Sequence, residues 1–140
     1  MKHALFASLI ITSLQVTAQK MDATKVPSTV KAAFAKAYPK VTAEWEFEDK
    51  NYEASFKQNG NKASAIIDSK GMLLETETTI TLSELPKAAS EYLSTHYKGK
   101  KVKETAKIIK ANGEVNYEAQ VNKIDVIFDS KGSFLKEVKG

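Results

Sequence analysis

The sequence of 140 residues contains no cysteine and no arginine, and only one tryptophan, two histidines and three prolines. Without cysteine there is no disulfide framework, no Cys-ligated zinc or iron–sulfur cluster, no thiol catalysis and no bacterial lipoprotein anchor. All 21 basic residues are lysines. Arginine is the residue suited to bidentate recognition of phosphate and guanine, so its absence argues against a nucleic-acid partner. The phosphate-cradling patterns G-x-G-x-x-G and G-x-x-x-x-G-K do not occur, nor does the nucleophile elbow G-x-S-x-G. No apolar run is long enough to insert across a bilayer.

What remains is a composition of folded type, 42% hydrophobic and 27% charged, in a length that fits one domain or two very small ones. The N-terminus opens Met1-Lys2-His3 and continues apolar to Val16, interrupted by Ser8, Thr12, Ser13 and Gln15, before Val16-Thr17-Ala18. A basic start, a short apolar stretch and small residues at its end predict a secretory signal peptide over 1–18, cleaved after Ala18. The expected destination is the periplasm or the medium. Loss of Lys2 leaves 20 lysines against 17 acids, a charge of +3.

The most informative pattern is internal repetition. Val26-Pro27 precedes Val30, Ala33, Phe34, Ala37 and Tyr38, and Leu85-Pro86 precedes Ala89, Tyr92, Leu93, His96 and Tyr97, at a constant offset of 59. That spacing places one apolar stripe on each of two helices. Tyr52-Glu53-Ala54 then matches Tyr117-Glu118-Ala119, and Asp68-Ser69-Lys70-Gly71 matches Asp129-Ser130-Lys131-Gly132. Four landmarks in the same order indicate a duplication, with 19–82 as the first repeat, 83–140 as the second, and the two packed as one body. Residues 19–25 read as a short leader. Thr24 and Ser83 are candidate helix caps.

Between landmarks the alternation is that of strands: Trp45, Phe47, Tyr52, Ala54 and Phe56 against Glu44, Glu46, Glu48, Glu53, Ser55 and Lys57. Asp49-Lys50-Asn51, Asn59-Gly60-Asn61, Asn112-Gly113 and both D-S-K-G segments supply tight turns. The expected fold is α+β: a tandem duplication in which each repeat packs one helix on a four-stranded antiparallel meander.

An L/V-P helix ending in Tyr, then Y-E-A, then D-S-K-G between apolar pairs, all doubled behind a signal peptide, resembles the PepSY-like family, which is similar to the beta-lactamase inhibitory protein. The resemblance covers about Val26 to Val138. It implies sheets joined into a curved surface with an open face, and non-catalytic binding or inhibition. The chain lacks the cysteines of the inhibitory protein and is shorter, so inhibition of a beta-lactamase is not carried over.

The chemistry on offer agrees with a non-enzyme. Once the signal is removed His96 is the sole histidine, and D-S-K-G reads as a turn rather than a calcium loop, so neither metal nor cofactor is expected. Glu44, Glu46 and Glu48 could act as acid and base, but alternation explains them as the solvated side of a strand. The face away from the helix then carries Glu44, Glu46, Glu48, Glu53, Ile66, Leu73, Glu75 and Glu77 in the first repeat, and Ile127 and Leu135 in the second. Four apolar residues exposed among carboxylates form the candidate partner-binding face. Ile66, Leu73, Ile127 and Leu135 would supply affinity, and the glutamates would steer a basic protein or peptide. A second reading is a small-ligand or envelope-polymer binder working through Lys98, Lys100, Lys101, Lys103 and Trp45.

Overall fold

The computed structural model of the protein describes residues 18–139. The predicted signal peptide therefore lies, apart from Ala18, outside the described residues. The strands hydrogen-bond in chain order, β1 through β9, and the chain divides into two compact units between Glu77 and Thr78.

The N-terminal unit opens with β1 (Gln19–Met21), followed by a 3-10 turn at Ala23–Lys25 and helix α1 (Ser28–Ala37). The leader expected at 19–25 is thus structured. β1 pairs antiparallel with β2, Met21 opposite Trp45, giving the unit an additional strand beyond the expected four. Asp22 caps the 3-10 turn, its Oδ1 accepting from Thr24 N at 2.8 Å; α1, with Pro27 at its N-cap, has no side-chain cap, so Thr24 does not cap it. Helix α1 carries four alanines in ten residues and starts directly after Pro27, whose missing N–H costs nothing there. It ends where Tyr38 precedes Pro39, because proline disfavours helical geometry in the residue before it.

Strands β2 (Glu44–Glu48), β3 (Asn51–Gln58), β4 (Asn61–Ile67) and β5 (Leu73–Ile80) follow, with β2, β3 and β4 in an antiparallel ladder. Asn59 and Gly60 both take positive φ, the combination a two-residue hairpin loop needs. Helix α1 drops Val30 and Phe34 onto Trp45, Ala54, Phe56, Ala63, Ala65 and Ile67. Phe34 meets Trp45 and Phe56 edge-on, at centroid separations of 5.5 and 5.1 Å. Burying each such ring contributes roughly 1.5–3 kcal/mol. Ala37, expected on the same stripe, is exposed.

The C-terminal unit begins within β5. A 3-10 turn at Leu82–Glu84 is closed by a capping box: Thr81 N and Thr81 Oγ1 both donate to Glu84 Oε2. Thr81 caps this turn only; the helix that follows has Pro86 at its N-cap and no side-chain cap, so Ser83 does not cap it. Helix α2 (Lys87–His96) leads to β6 (Val102–Lys110), β7 (Val115–Val121), β8 (Ile124–Phe128) and β9 (Phe134–Lys139), again antiparallel. Leu85, Ala89, Leu93 and Tyr97 pack on Ala119, Val121, Val126 and Phe128. His96 is exposed and stacks on Tyr92 at 3.9 Å.

The two D-S-K-G turns are built alike. Asp68 Oδ1 accepts from Lys70 N and Met72 N, and Asp129 Oδ1 from Lys131 N and Ser133 N, each at 2.9 Å. Gly71 and Gly132 have φ of +86° and +88° and lie against the first turn of their unit's helix. A Cβ on Gly132 would stand 2.8 Å from Ala89 N and from Pro86 Cβ. These glycines serve helix docking as well as the turn.

Candidate functional site

Cross-strand partners share a face of the sheet, so the ladders decide which candidate residues meet. In the N-terminal unit Glu46 stands opposite Glu53, and Glu53 opposite Ile66, in one row across β2, β3 and β4. Glu44 and Glu48 lie on either side of that row, opposite Ser55 and Asn51. Glu75 acts electrostatically on Glu53 from β5, and Glu77, two residues on, shares its face. Glu44, Glu46, Glu48 and Glu53 therefore share the face away from α1, with Glu75 near enough to act on Glu53.

Burial and the neighbouring charges act on two of them, Glu53 and Glu48. Burial, and then the charges of Glu46, Glu48 and Glu75, push the Glu53 carboxyl up from 4.5 to about 8; a 3.5 Å contact from Ser55 Oγ offsets this only in part. Burial, Glu46 and Asp49 likewise raise Glu48. Near neutrality Glu53 keeps its proton. Such a patch lowers its own energy when a cation or a basic group comes close.

The four apolar candidates do not behave as expected. Ile66 and Ile127 are buried, at 9% and 3% exposure. They lie on central strands, Ile66 beside Glu53 and Ile127 between Glu118 and Lys136, where the stems of long side chains share the face with them. Leu73 packs against the α1 core instead of standing on the open face. Leu135 is 48% exposed, but a ladder irregularity takes the pairing from Lys136 to Phe134 and leaves Leu135 out of the Ile127 row. An exposed apolar patch of these four residues is not formed.

Sequence reading missed one acidic residue, Glu104. In the C-terminal unit Glu104 pairs with Gln120, and Gln120 with Asp125. Burial and the Glu104 charge together raise Asp125 from 3.8 to about 6, and Thr79 Oγ1 donates to Glu104 Oε1 at 3.2 Å. The register shift between Val102 and Glu104 hides this row. It puts Ala106 and Ile108 in register with Glu118 and Asn116, so apolar alternation along β6 points away from the helix. Among the described residues no group of three or more His, Asp or Glu is arranged to hold a metal ion, and no helix is long and apolar enough to cross a membrane.

The family described as "Putative beta-lactamase-inhibitor-like, PepSY-like" matches residues 13–75 and 50–136. No curated protein matches the chain. Among solved structures, a protein from Bacteroides eggerthii described among "putative periplasmic proteins" aligns at a TM-score of 0.75 with 21% identity, covering 81% of this chain and 88% of that one. A DUF2874 family protein from Bacteroides uniformis gives 0.74 at 20% identity, over 81% and 88%. A BLIP-like protein from Bacteroides fragilis gives 0.64 at 23% identity, over 81% and 85%. These similarities establish the α+β fold. With the family pattern spanning nearly the whole chain, they carry one conclusion: the protein belongs to the PepSY-like, beta-lactamase-inhibitor-like family.

Proposed function

We propose that the protein is an exported, non-catalytic binding module whose acidic sheet face in the N-terminal unit engages a basic protein or peptide. The observation that supports this is the row Glu46–Glu53 with Glu48 and Glu75 beside it, where burial and then mutual repulsion carry Glu53 to about 8. Holding carboxylates together in the free protein costs stability, and a cationic partner recovers that cost on binding. The family description and the periplasmic description of the Bacteroides eggerthii protein support export and partner binding; inhibition is one form such binding can take. Because Ile66 and Ile127 are buried, the glutamates, not an apolar patch, are the recognition element in this reading.

A lysine-rich peptide of about ten residues tests it by calorimetric titration. Saturable binding is expected that weakens with added salt, since exposed charges more than about 10 Å apart are screened at 0.1 M. Glu46→Lys and Glu75→Lys should each weaken it about ten-fold or more. Equal affinity in wild type and both variants refutes the steering role.

A further inference from the structure

An asparagine followed by glycine can modify itself, because the glycine backbone nitrogen is free of the Cβ that would obstruct its attack on the asparagine side chain. The chain holds this dipeptide twice, at Asn59-Gly60 and Asn112-Gly113, whereas Asn51, Asn61, Asn116 and Asn122 are each followed by Tyr or Lys. Both glycine-linked asparagines sit at hairpin tips and both are exposed. Access to water does not distinguish them, but local bonding does.

Between β6 and β7 the loop is fully tied. Gly113 N donates to Lys110 O at 2.9 Å, and Asn112 Oδ1 accepts from Glu114 N at 2.9 Å. The nucleophile would have to give up a hydrogen bond before losing its proton, and the carboxamide is pinned to the backbone beyond the glycine. The nearby Lys110 ammonium is already matched by Glu114 at 3.6 Å.

Between β3 and β4 none of this holds. Asn59 and Gly60 form a two-residue loop with φ of +51° and +81°. Neither the Gly60 N–H nor the Asn59 carboxamide forms a hydrogen bond among the described residues. One pair back from the loop, Lys57 stands opposite Lys62, and both are exposed. Two ammonium groups this close favour loss of the Gly60 amide proton and the oxyanion that develops at Asn59 Cγ.

We infer that Asn59-Gly60 is a self-modification site, at which the folded protein deamidates ahead of Asn112-Gly113. The Gly60 nitrogen, its proton released to hydroxide, bonds to Asn59 Cγ. The Cγ–Nδ2 bond breaks, Nδ2 leaves as ammonia and a succinimide ring closes. Water then opens the ring at one carbonyl or the other, giving aspartate or isoaspartate. The sum is amide plus water to acid plus ammonia, with nothing oxidised or reduced, and a nucleophile already in the chain needs no enzyme to bring it there. Either product sets a carboxylate beside the Lys57–Lys62 pair. Aspartate tolerates positive φ and keeps the hairpin. Isoaspartate adds a backbone atom to a loop of two residues and disturbs the β3–β4 register, which holds Glu53 opposite Ile66. The site does not depend on the proposed function.

The test is incubation of the full chain in mildly alkaline buffer, followed by digestion at glutamates. Fragments 54–75 and 105–114 then report the two sites separately by mass, and enzymatic methyl labelling of isoaspartate identifies that product. Asn59 should convert about five-fold faster than Asn112 or more, the order of one hydrogen bond lost to the nucleophile. Isoaspartate should be among its products. In concentrated urea the two rates should converge, because both loops are gone. Gly60→Ala has open space for its Cβ; it should slow Asn59 about ten-fold or more by displacing the attacking atom, while Asn112 keeps its folded-state rate. Equal rates in the folded protein, Asn112 reacting first, or a difference that persists in urea overturns the inference. So does a product that is aspartate alone, or a Gly60→Ala variant that reacts as fast as wild type, since water would then be the nucleophile.

Discussion

Replacing Glu53 by glutamine isolates the physical cost of the acidic face. In the unfolded chain this carboxyl titrates at its ordinary value near 4.5, and in the folded protein at about 8. Between those values the folded state holds a proton that the unfolded chain has released. Raising the pH through that window therefore favours unfolding. The contribution is fully present below pH 4.5 and is lost by the time pH passes 8. Each tenfold change in proton affinity is worth about 1.4 kcal/mol, so the range carries at most about 5 kcal/mol. Side-chain relaxation and water entry reduce this to about 2–3 kcal/mol. Glutamine is close to the shape of the protonated acid and is uncharged at every pH. The variant should match wild type at pH 5 and exceed it by about 2 kcal/mol at pH 9. Trp45, the chain's single tryptophan, is buried in the same unit and supplies the signal. Urea unfolding followed by its emission should show a midpoint difference of about 1 M at pH 9 and little at pH 5. Parallel pH profiles for the two proteins would refute the reasoning, because Glu53 would then be ionised in the fold.

The D-S-K-G glycines and the aromatic core make two further expectations. Gly132→Ala should cost about 2–4 kcal/mol in thermal unfolding, since the added carbon meets backbone and proline atoms at 2.8 Å in a positive-φ position. Gly60→Ala, with open space around its Cβ site, should cost only about 1 kcal/mol from backbone strain. Phe34→Ala should cost about 3–5 kcal/mol and shift Trp45 emission, because the ring contacts both Trp45 and Phe56.

Much of the fold was legible because its signals are local. The helices announce themselves through Val26-Pro27 and Leu85-Pro86 with the stripes that follow. Asn59-Gly60 and the D-S-K-G segments mark their turns by residues that tolerate positive φ. Glu44, Glu46, Glu48 and Glu53 could be placed on one face from alternation alone. The failures are of a different kind. Gln19–Met21 has no strand pattern of its own and becomes a strand only because β2 offers it an edge. Ile66 and Ile127 were expected at the surface on the assumption that an antiparallel sheet hides one face only. Central strands are shielded by their neighbours as well, which alternation does not report. At Glu104 a register shift inverts the sense of the pattern, and nothing in residues 101–104 signals it.

The contact between each D-S-K-G glycine and the helix entrance bears on the order of folding. A ten-residue helix has little stability alone, since its nucleus fixes several residues for a single hydrogen bond. The turn is shaped by its own aspartate and needs only a few residues in place. Closing it presents a surface that fits Thr29 and Ala33 in one unit and Pro86, Ala88 and Ala89 in the other. The hairpin tip thus acts as a template that captures the first helical turn at a defined position. Docking the helix entrance on that tip closes a chain segment about forty residues long, an entropic cost that grows only slowly with length.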